Sequence, residues 1–289
     1  MSDGAHAHVV TGGLLSRPGL LPDGALGIDA GITLTKVARA TPAGIALEAR
    51  ETQPDLDERW LAADAATAVG VTGARASSIG AAGAVVQEIE AGARGTRALL
   101  DGEGRLGGGE FLLALLGTGT AFAAVRDVTM QHLGGTPLGG GSFAGIARRV
   151  EPSLTYEQLV ARAERGDRRR VDVMISDVYP AGIGRVGPDL TAAHLARATE
   201  GSLDDFLAGL LNLHGENIAQ IAAGRAQAAR TSRVVLAGGF AHGNAPLVAS
   251  ITSMAALFGL SVETVPWPAY AGALGAAIIA AETGTEAAS

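Results

Sequence analysis

Three short apolar stretches of this sequence each run straight into a glycine-rich turn. The turns occupy residues 27–36, residues 117–120 together with 134–145, and residues 238–239. Glycine lets the backbone turn sharply or approach a ligand closely, and the chain holds 42 glycines, about twice the ordinary share of roughly 7%. Strands that end in such turns, together with alanine-rich helical stretches, predict an α/β fold whose ligands gather at the strand ends.

A strand, a glycine turn and a second strand occur twice along the chain, at residues 25–40 and at residues 110–125. The first unit predicts a hairpin, and the repetition indicates two similar halves. Residues 1–23 predict a loose leader and not a signal peptide, because they lack a charged start. The other predicted elements are helices at residues 56–69, 88–100, 146–150 and 269–281, a short apolar run at residues 84–86 and a strand at residues 233–237.

Charge and composition exclude several classes of function. The formal net charge is −7, and the one basic run, residues 168–170, predicts a solvated helix start, so nucleic-acid binding is disfavoured. The chain has no cysteine, which excludes disulfides, thiolate zinc sites and cysteine nucleophiles. No apolar run reaches the roughly 18 residues of a membrane span. We therefore expect a cytoplasmic protein that does not bind nucleic acid or membranes.

The first glycine turn also carries charged and hydroxyl side chains. Residues 27–36 read Gly-Ile-Asp-Ala-Gly-Ile-Thr-Leu-Thr-Lys, with Asp29 at the end of a predicted strand and Lys36 after the turn. Backbone N–H groups and a lysine can hold the phosphates of ATP, and an aspartate can hold Mg²⁺ through its water shell. An ordinary hairpin turn explains the same residues, because short glycine patterns recur by chance.

The second turn is the richest in glycine. Residues 117–120 read Gly-Thr-Gly-Thr, and residues 134–145 contain three consecutive glycines before the helix predicted at residues 146–150. Glycine inside a regular element costs about 0.5–1 kcal/mol relative to alanine, so such a run favours a place where backbone and a helix N-terminus meet an anion. A flexible structural loop is the alternative.

The third turn, Gly238 and Gly239, follows an apolar strand. It would let a nucleotide base or ribose approach the backbone, or it would form a plain strand-to-helix turn. No single turn decides the function. The three in order, with an aspartate and a lysine at the first, favour nucleotide phosphotransfer.

A kinase that acts on a hydroxyl benefits from a carboxylate that accepts its proton and orients it for in-line attack. Glu88 and Glu90 are the candidates, since they follow the apolar run at residues 84–86. Either acid could instead favour the positive end of the helix that begins there, and periodicity does not choose between them. His132 could contact a substrate carboxylate or be an ordinary hydrogen-bonded side chain, and the other histidines show no metal-ligand spacing.

Taken in order, these motifs resemble those of type II pantothenate kinases, which belong to the superfamily of acetate kinase, sugar kinases, heat-shock chaperone ATPases and actin. The similarity runs from about Leu26 to Ala281. The motifs that carry it are Gly-Ile-Asp-Ala-Gly at residues 27–31, Gly-Thr-Gly-Thr at 117–120, Gly-Thr-Pro-Leu-Gly-Gly-Gly-Ser-Phe-Ala-Gly at 135–145, Gly-Asp at 166–167, Asp-Val-Tyr at 177–179 and Ala-Tyr-Ala-Gly-Ala-Leu-Gly-Ala at 269–276.

The resemblance implies two ribonuclease H-like subdomains of the actin-like ATPase kind, here residues 24–108 and 109–289, with ATP in the cleft between them. It also implies a homodimer. The implied reaction is transfer of the γ-phosphoryl group of ATP to the primary hydroxyl of pantothenate, the first step towards coenzyme A. The family's catalytic carboxylate lies in a Glu-hydrophobic-acid-Ala segment, which matches residues 88–91 and selects Glu88 as the base.

The same resemblance implies the binding residues. Mg²⁺ would be held by Asp29, and the substrate would be bound by His132 and Glu88. ATP would be bound by Gly31, Ile32, Thr33, Leu34, Thr35, Lys36, Thr118, Gly119, Thr120, Gly140, Gly141, Ser142, Phe143, Ala144, Tyr156 and Gly238.

The chain departs from the family pattern at three positions. Ile32 stands where the family usually has a second glycine, His132 where it has a pantothenate-binding arginine, and Ala121 where it has a small hydroxyl residue. Arginine offers a permanent charge and a planar fork, whereas histidine is largely neutral at pH 7. A neutral acceptor such as pantetheine, or another hydroxylated metabolite, is therefore the alternative substrate. A non-catalytic nucleotide or acyl-CoA sensor is the alternative from another class.

Overall fold

The structure is a computed structural model. It describes residues 12–17, 19–52, 66–78, 83–184 and 186–288. Within these residues the chain forms two main β-sheets, with helices between the sheets and on the far face of the second. The predicted α/β architecture is confirmed.

The first sheet is built from the N-terminal part of the chain. Its strands are β1 (Gly13–Leu15), β2 (Ala25–Ala30), β3 (Leu34–Thr41), β4 (Gly44–Glu51), β5 (Ala68–Thr72) and β6 (Ala84–Val85). Their order in the sheet is β1-β4-β3-β2-β5-β6. β2 and β3 form the predicted hairpin, and β2 pairs in parallel with β5 on its other side. All of β2 is buried, as its nearly continuous apolar sequence requires of a strand covered on both faces.

The remaining strands form the second sheet and a small two-stranded sheet. They are β7 (Glu110–Leu116), β8 (Thr120–Arg126), β9 (Thr129–Thr136), β10 (Val173–Met174), β11 (Thr191–Ala193), β12 (Arg233–Ala237) and β13 (Ser261–Thr264). The second sheet has the order β13-β12-β7-β8-β9, and β10 pairs with β11. Side chains of β7 alternate between two apolar cores, one on each face of the sheet, which explains its unbroken apolar run.

The helices begin and end at clear sequence signals. They are α1 (Glu88–Gly102), α2 (Gly140–Val150), α3 (Tyr156–Arg165), α4 (Ile175–Val178), α5 (Leu203–Ala229), α6 (Ala245–Ala256) and α7 (Ala271–Ala288). Ser202 caps α5 through its side chain, and Thr155 does the same for α3, which satisfies N–H groups that the first turn of a helix leaves unpaired. In the described part of the chain, every helix is too short or too polar to cross a bilayer.

α1 and α7 form a layer between the two sheets, and glycines allow them to pack closely. A Cβ built on Gly95 would lie 1.9 Å from the carbonyl oxygen of Ala271, and one built on Gly275 would lie 1.8 Å from that of Ala91. No side chain fits at such distances, so both glycines are required for the helices to touch backbone to backbone. This layer carries the start of α1 and the start of α7 towards the end of β2.

The predicted leader at residues 1–23 is not a free tail over its described part. β1 pairs with β4, and the side chains of Leu15 and Leu21 are buried in the core below the first sheet. Burial of apolar surface therefore ties this segment to the domain. Residues 1–11 and residue 18 lie outside the described residues.

Three other predicted elements differ from the structure. α7 belongs to the predicted second subdomain, residues 109–289, but it packs against β2, β5 and α1 of the first. Its glycine and alanine residues allow this close contact with the first sheet. α2 begins at Gly140 and not at residue 146. The helix predicted at residues 56–69 lies mostly outside the described residues, and β5 occupies its last positions.

Candidate active site

Asp29 and Lys36 face each other across the first hairpin. They are directly opposite in the antiparallel pair of β2 and β3, so both side chains leave the sheet on the same face. The Lys36 ammonium lies 2.5 Å from Oδ2 of Asp29, and the two side chains are only 13% and 12% exposed. A carboxylate buried to this extent needs a partner, and the lysine provides it. The hairpin thus places an ion pair at the end of the central strand.

Glu88 is the first residue of α1, and the Gln87 side chain accepts the N–H of Glu90 to cap the helix. Partial burial and the negative charge of Asp29 raise the pKa of the Glu88 carboxyl, and the nearby Lys36 ammonium lowers it by less. Part of the residue remains exposed to solvent. The charges of Asp29 and Lys36 therefore influence the ionisation of the Glu88 carboxyl, which remains accessible from solvent.

The carboxylate of Asp29 lies against backbone on two sides. A Cβ built on Gly73, whose φ is +94°, would lie 2.6 Å from Oδ1, and one built on Gly272 would lie 3.1 Å from Oδ2. Gly272 is in the first turn of α7, so the positive end of that helix faces the carboxylate. Within the described residues, no group of three or more acidic or histidine side chains could hold a metal by itself. A single carboxylate fits an Mg²⁺ ion shared with phosphate oxygens and water.

A cleft of about 280 Å³ opens between the first hairpin and the glycine turns of the second sheet. The tip of the hairpin forms one wall, and the turn after β7 with the start of α2 forms the other. Lys36 belongs to the lining, so the ion pair borders this cleft. The cleft is lined by Gly31, Ile32, Thr33, Leu34, Lys36, Gly117, Thr118, Gly140, Gly141, Ala144, Gly145, Arg148, Tyr156, Gly239 and Phe240.

The first two N–H groups of α2 are bonded inside the protein. Gly140 donates to the carbonyl oxygen of Gly117 at 2.9 Å, and Gly141 donates to that of Thr118 at 3.0 Å. These two donors hold the preceding turn, because N–H groups at a helix start require partners. They also explain why the helix begins at the glycines. The sequence indicates that this helix start could face an anion, and that stays a prediction. Thr118 itself is exposed and lines the cleft.

Six residues of the predicted ATP set do not line the cleft. Thr35 is fully buried and shares a hydrogen bond of 3.1 Å with Thr52 behind the hairpin. Thr120 is also buried, and its hydroxyl donates to the carbonyl oxygen of Leu138 at 2.8 Å, which joins the two parts of the second glycine turn. The six are Thr35, Gly119, Thr120, Ser142, Phe143 and Gly238.

The other members of this group also have structural contacts. The hydroxyl of Ser142 lies 2.8 Å from Nε2 of His214, away from the cleft, and the ring of Phe143 is fully buried in the core of the second half. Gly238 has a φ of +100°, and a Cβ there would lie 2.3 Å from the carbonyl oxygen of Leu116. Only glycine allows that approach between the ends of β12 and β7.

Five lining residues are not in the predicted set of ATP-binding residues. Gly117, Gly145 and Gly239 lie within the predicted glycine turns, whereas Arg148 and Phe240 lie outside them. Arg148 lies one helical turn after Ala144 on α2, so the same-face spacing of four residues was a signal for it. Phe240 directly follows the third glycine turn. The five are Gly117, Gly145, Arg148, Gly239 and Phe240.

Tyr156 lines the cleft and is held by two hydrogen bonds. Its hydroxyl donates to the carbonyl oxygen of Phe240 at 3.3 Å and accepts from the Asn244 side chain at 3.1 Å. Burial raises the pKa of Tyr156, with a smaller opposing effect of Asn244, so the side chain stays a neutral phenol. Tyr156 is therefore a fixed, uncharged part of the cleft surface near Gly239.

His132 lies on β9 opposite Ala123 of β8. Ala123 belongs to the core that α1 covers, so His132 is on the same sheet face as the helix that begins at Glu88. Its side chain is exposed, and it does not line the nucleotide-sized cleft. A role of His132 in substrate binding stays a prediction.

Solved structures with the same fold contain ATP analogues. The activator of the 2-hydroxyisocaproyl-CoA dehydratase from Clostridium difficile with bound ADPNP matches with a TM-score of 0.63 at 18% identity, over 91% of this chain and 96% of that one. A ROK family glucokinase from Streptomyces griseus in complex with glucose and AMPPNP matches with a TM-score of 0.57 at 13% identity, over 89% and 99%. The predicted actin-like fold of two sheets is confirmed.

Sequence comparisons identify the family. The Fumble family model matches residues 110–278. A type II pantothenate kinase of Oceanobacillus iheyensis is 32% identical over 231 residues, which are 77% of this chain and 86% of that protein. The model spans more than half of the chain and the relative most of it, so this chain belongs to the Fumble family of type II pantothenate kinases.

Proposed function

We propose that this protein is an ATP-dependent kinase that transfers the γ-phosphoryl group of ATP to the primary hydroxyl of pantothenate, the first step towards coenzyme A. The observation that carries this proposal is the Asp29–Lys36 ion pair at the border of one glycine-walled cleft, with Glu88 near enough for both charges to influence its pKa. Phosphoryl transfer needs positioning and charge stabilisation more than covalent chemistry, and this arrangement offers both. The type II pantothenate kinase named among its relatives supports the same reaction.

The nucleotide occupies the cleft in this proposal. Its phosphates lie between the tip of the first hairpin and the turn at residues 117–118, where backbone N–H groups, the Thr118 hydroxyl and the Lys36 ammonium can bind the oxygens. The base and ribose lie towards Gly239 and Tyr156. Predicted ATP residues that point away from the cleft, such as Thr120, support the turns instead.

Asp29 is the proposed Mg²⁺ anchor. Bound there with phosphate oxygens and water, the ion would neutralise charge that develops on the β- and γ-phosphates. Lys36 holds the carboxylate in place through the ion pair. Removal of the lysine would therefore disturb both the phosphate contact and the orientation of Asp29.

Glu88 is the proposed base. Its carboxylate accepts the proton of the acceptor hydroxyl while that oxygen bonds to the γ-phosphorus, and the bond from phosphorus to the bridging oxygen breaks to release ADP. A pKa raised by burial and by Asp29 makes the carboxylate a stronger base than an ordinary surface glutamate. The open side of the residue admits the acceptor.

The acceptor is bound on the side of α1, with His132 near the acid group of the substrate. The exposed Ile32 at the hairpin tip, 62% exposed, and the histidine in place of an arginine leave pantetheine or another hydroxylated metabolite as the alternative acceptor. A non-catalytic sensor is disfavoured, because it has no use for a base beside an ion pair. We further propose a cytoplasmic homodimer, which rests on family resemblance.

The test is an assay of phosphoryl transfer from γ-labelled ATP with Mg²⁺ to a panel of pantothenate, pantetheine, sugars and nucleosides. The proposal expects labelled product with pantothenate. Product with pantetheine alone would keep the kinase and replace its substrate. Nucleotide binding without product from any acceptor would overturn the proposed reaction in favour of a sensor.

A further inference from the structure

A pair of polar side chains, the half-buried Ser142 and the fully buried His214, lies directly behind the second glycine turn. The hydroxyl of Ser142, in the first turn of α2, is 2.8 Å from Nε2 of His214 on α5. The other ring nitrogen, Nδ1, is 2.8 Å from the carbonyl oxygen of Leu210. His214 has no solvent-exposed surface. The proposed reaction has no use for either side chain so far, and a buried histidine with a hydroxyl partner requires an explanation.

The partners fix the direction of these hydrogen bonds. A carbonyl oxygen only accepts, so Nδ1 of His214 carries the proton that points to Leu210. In the neutral ring Nε2 is then an acceptor, and the Ser142 hydroxyl donates to it at 2.8 Å. The carbonyl oxygen of Gly139, at 3.1 Å, is the more distant acceptor for the same proton. The serine oxygen in turn accepts the N–H of Gly139 at 3.1 Å. A directed chain thus runs from Gly139 through Ser142 to α5.

The surroundings of His214 keep it neutral. The rings of Phe143 and Phe240 lie edge-on to the imidazole, with centroids at 6.1 Å and 5.9 Å. Burial lowers the pKa of His214, and the hydrogen bond to Leu210 raises it by less. The acceptor nitrogen that faces Ser142 is therefore present at neutral pH.

Gly139 joins this chain of hydrogen bonds to the turn beside the cleft, although it does not line the cleft itself. A Cβ on Gly139 would lie 2.6 Å from the carbonyl oxygen of Thr118, so its backbone is packed on the turn after β7. The next two residues, Gly140 and Gly141, donate to the carbonyl oxygens of Gly117 and Thr118. The position of the turn that lines the cleft therefore depends on where Gly139 is held.

We propose that His214 is a positioning residue for nucleotide binding, which acts through Ser142 to hold Gly139 and the turn at residues 117–118 in the shape that receives the phosphates. This inference rests on the proposed function, because it assumes that the cleft binds a nucleoside triphosphate. His214 lies on the long helix α5, far along the chain from the glycine turns, so local sequence patterns do not indicate this role.

The experiment measures binding of a non-hydrolysable ATP analogue with Mg²⁺ by calorimetry. The variants are Ser142→Ala, His214→Leu, the double variant and the conservative His214→Gln, whose side-chain oxygen can accept from the serine. We expect each single change to weaken binding about 3- to 10-fold, as for the loss of one buried hydrogen bond. The double variant should be no weaker than the poorer single variant, and His214→Gln should recover part of the loss.

Ser250→Ala is the matched control. Ser250, on α6, donates to the side chain of Asn212 at 2.8 Å, and Asn212 lies on α5 like His214. Ser250 does not contact the glycine turn. It should lower thermal stability without changing nucleotide affinity. Equal affinity in the wild type and both single variants, or additive losses in the double variant, would overturn the positioning role. Absence of nucleotide binding by the wild type would overturn the proposed function first, and this inference with it.

Discussion

Two clusters of ionisable side chains in this molecule are built differently. One borders the open cleft, and the other is enclosed between α5 and the small sheet of β10 and β11. We call the first the cleft cluster, which consists of Asp29, Lys36 and Glu88. We call the second the buried network, which consists of Asp172, His194 and Glu216.

The buried network has partners for nearly all of its polar atoms. Asp172 has no exposed surface and accepts the N–H of Leu195 at 2.8 Å. Glu216 accepts from the Asn212 side chain at 3.0 Å. His194 lies between the two carboxylates, with Nε2 at 3.3 Å from Glu216. Its Nδ1 is 3.8 Å from Asp172 and has no hydrogen bond within the described residues, so it is the one unsatisfied atom of the network. Such a network holds its elements together and has little capacity left for a ligand.

The cleft cluster has unused capacity. Asp29 and Lys36 pair with each other, whereas the Glu88 carboxylate has no hydrogen bond or ion pair with another residue in the described part of the chain. A carboxylate with a raised pKa and open lone pairs at a cleft is suited to take a proton. The two clusters therefore differ in how many of their polar groups are paired among the described residues, and the proposed reaction uses the cluster that has an unpaired carboxylate.

Replacement of Glu88 should have the largest effect of the substitutions considered, and it should act on turnover. We expect Glu88→Gln to reduce turnover about 10²- to 10⁴-fold, the range for general acid–base groups, while nucleotide affinity stays nearly unchanged. Glu90→Gln is the control, because Glu90 lies on the same helix but faces a separate groove with Arg94 and Arg97. Steady-state kinetics of both variants provide the measurement. Undiminished turnover in Glu88→Gln would remove that residue from the mechanism.

Replacement of Asp172 should show the opposite behaviour. Asp172→Asn leaves His194 and Arg168 without their shared buried anion, so we expect the free energy of unfolding to fall by about 3 kcal/mol. Turnover per folded molecule should not change. Urea unfolding of this variant and of Asp101→Asn, on the exposed side of α1, makes the comparison. A normal stability together with a loss of turnover would reverse the assignment of the two clusters.

The two clusters should also respond to opposite ends of the pH scale. Burial lowers the pKa of His194, but the carboxylates of Asp172 and Glu216 outweigh it and raise the pKa to about 9. The folded-state pKa lies above the unfolded one, so this stabilisation is complete below about pH 6.5. It is lost as pH rises through about 9, at a cost of up to about 3 kcal/mol.

Unfolding free energies between pH 6 and pH 10 check this, with His194→Gln as the variant that should lose the pH dependence. Activity should instead fall on the acid side, because Glu88 must be ionised and its pKa is raised by burial and Asp29. A stability that is flat through pH 9 in the wild type would contradict the charged state of the network.

The smallest effect is expected at the hairpin tip. Ile32 is 62% exposed, so Ile32→Gly should change the free energy of unfolding by no more than about 0.5 kcal/mol. Removal of the β-branched side chain should uncover backbone N–H groups and lower the KM for ATP about twofold or more. A large loss of stability would show that the tip has a packing role that its exposure hides.

Local patterns in the sequence were enough for the strands and turns that form the cleft. The hairpin of β2 and β3, the strand-and-turn unit at β7 and β8, and α1 all lie where the sequence predicts them. Each depends on residues close together in the chain, such as apolar runs that end in glycine. Asp29 and Lys36 were both predicted at this hairpin, but as separate Mg²⁺ and phosphate groups, and their ion pair was not predicted.

Contacts between distant residues were beyond such patterns. Periodicity left Glu88 and Glu90 equivalent, and the family resemblance selected Glu88. The approach of α1 to the end of β2 supports that choice, because Asp29 and Lys36 influence the pKa of Glu88. The glycine run was predicted as a loop before a helix, but bonds from Gly140 and Gly141 to the turn at residues 117–118 start α2 within it. Ser142 consequently points into the core and not towards the nucleotide.

The most direct test of the central claim is the ionisation of Glu88 itself, followed by carbon-13 NMR of its carboxyl group in the wild type and in Asp29→Asn. The structure predicts a pKa above the ordinary value of 4.5 in the wild type, because of burial and the charge of Asp29. It predicts a lower pKa in the variant, because that charge is gone. A Glu88 that titrates near 4.5 in both proteins would contradict a shared site for the base and the ion pair.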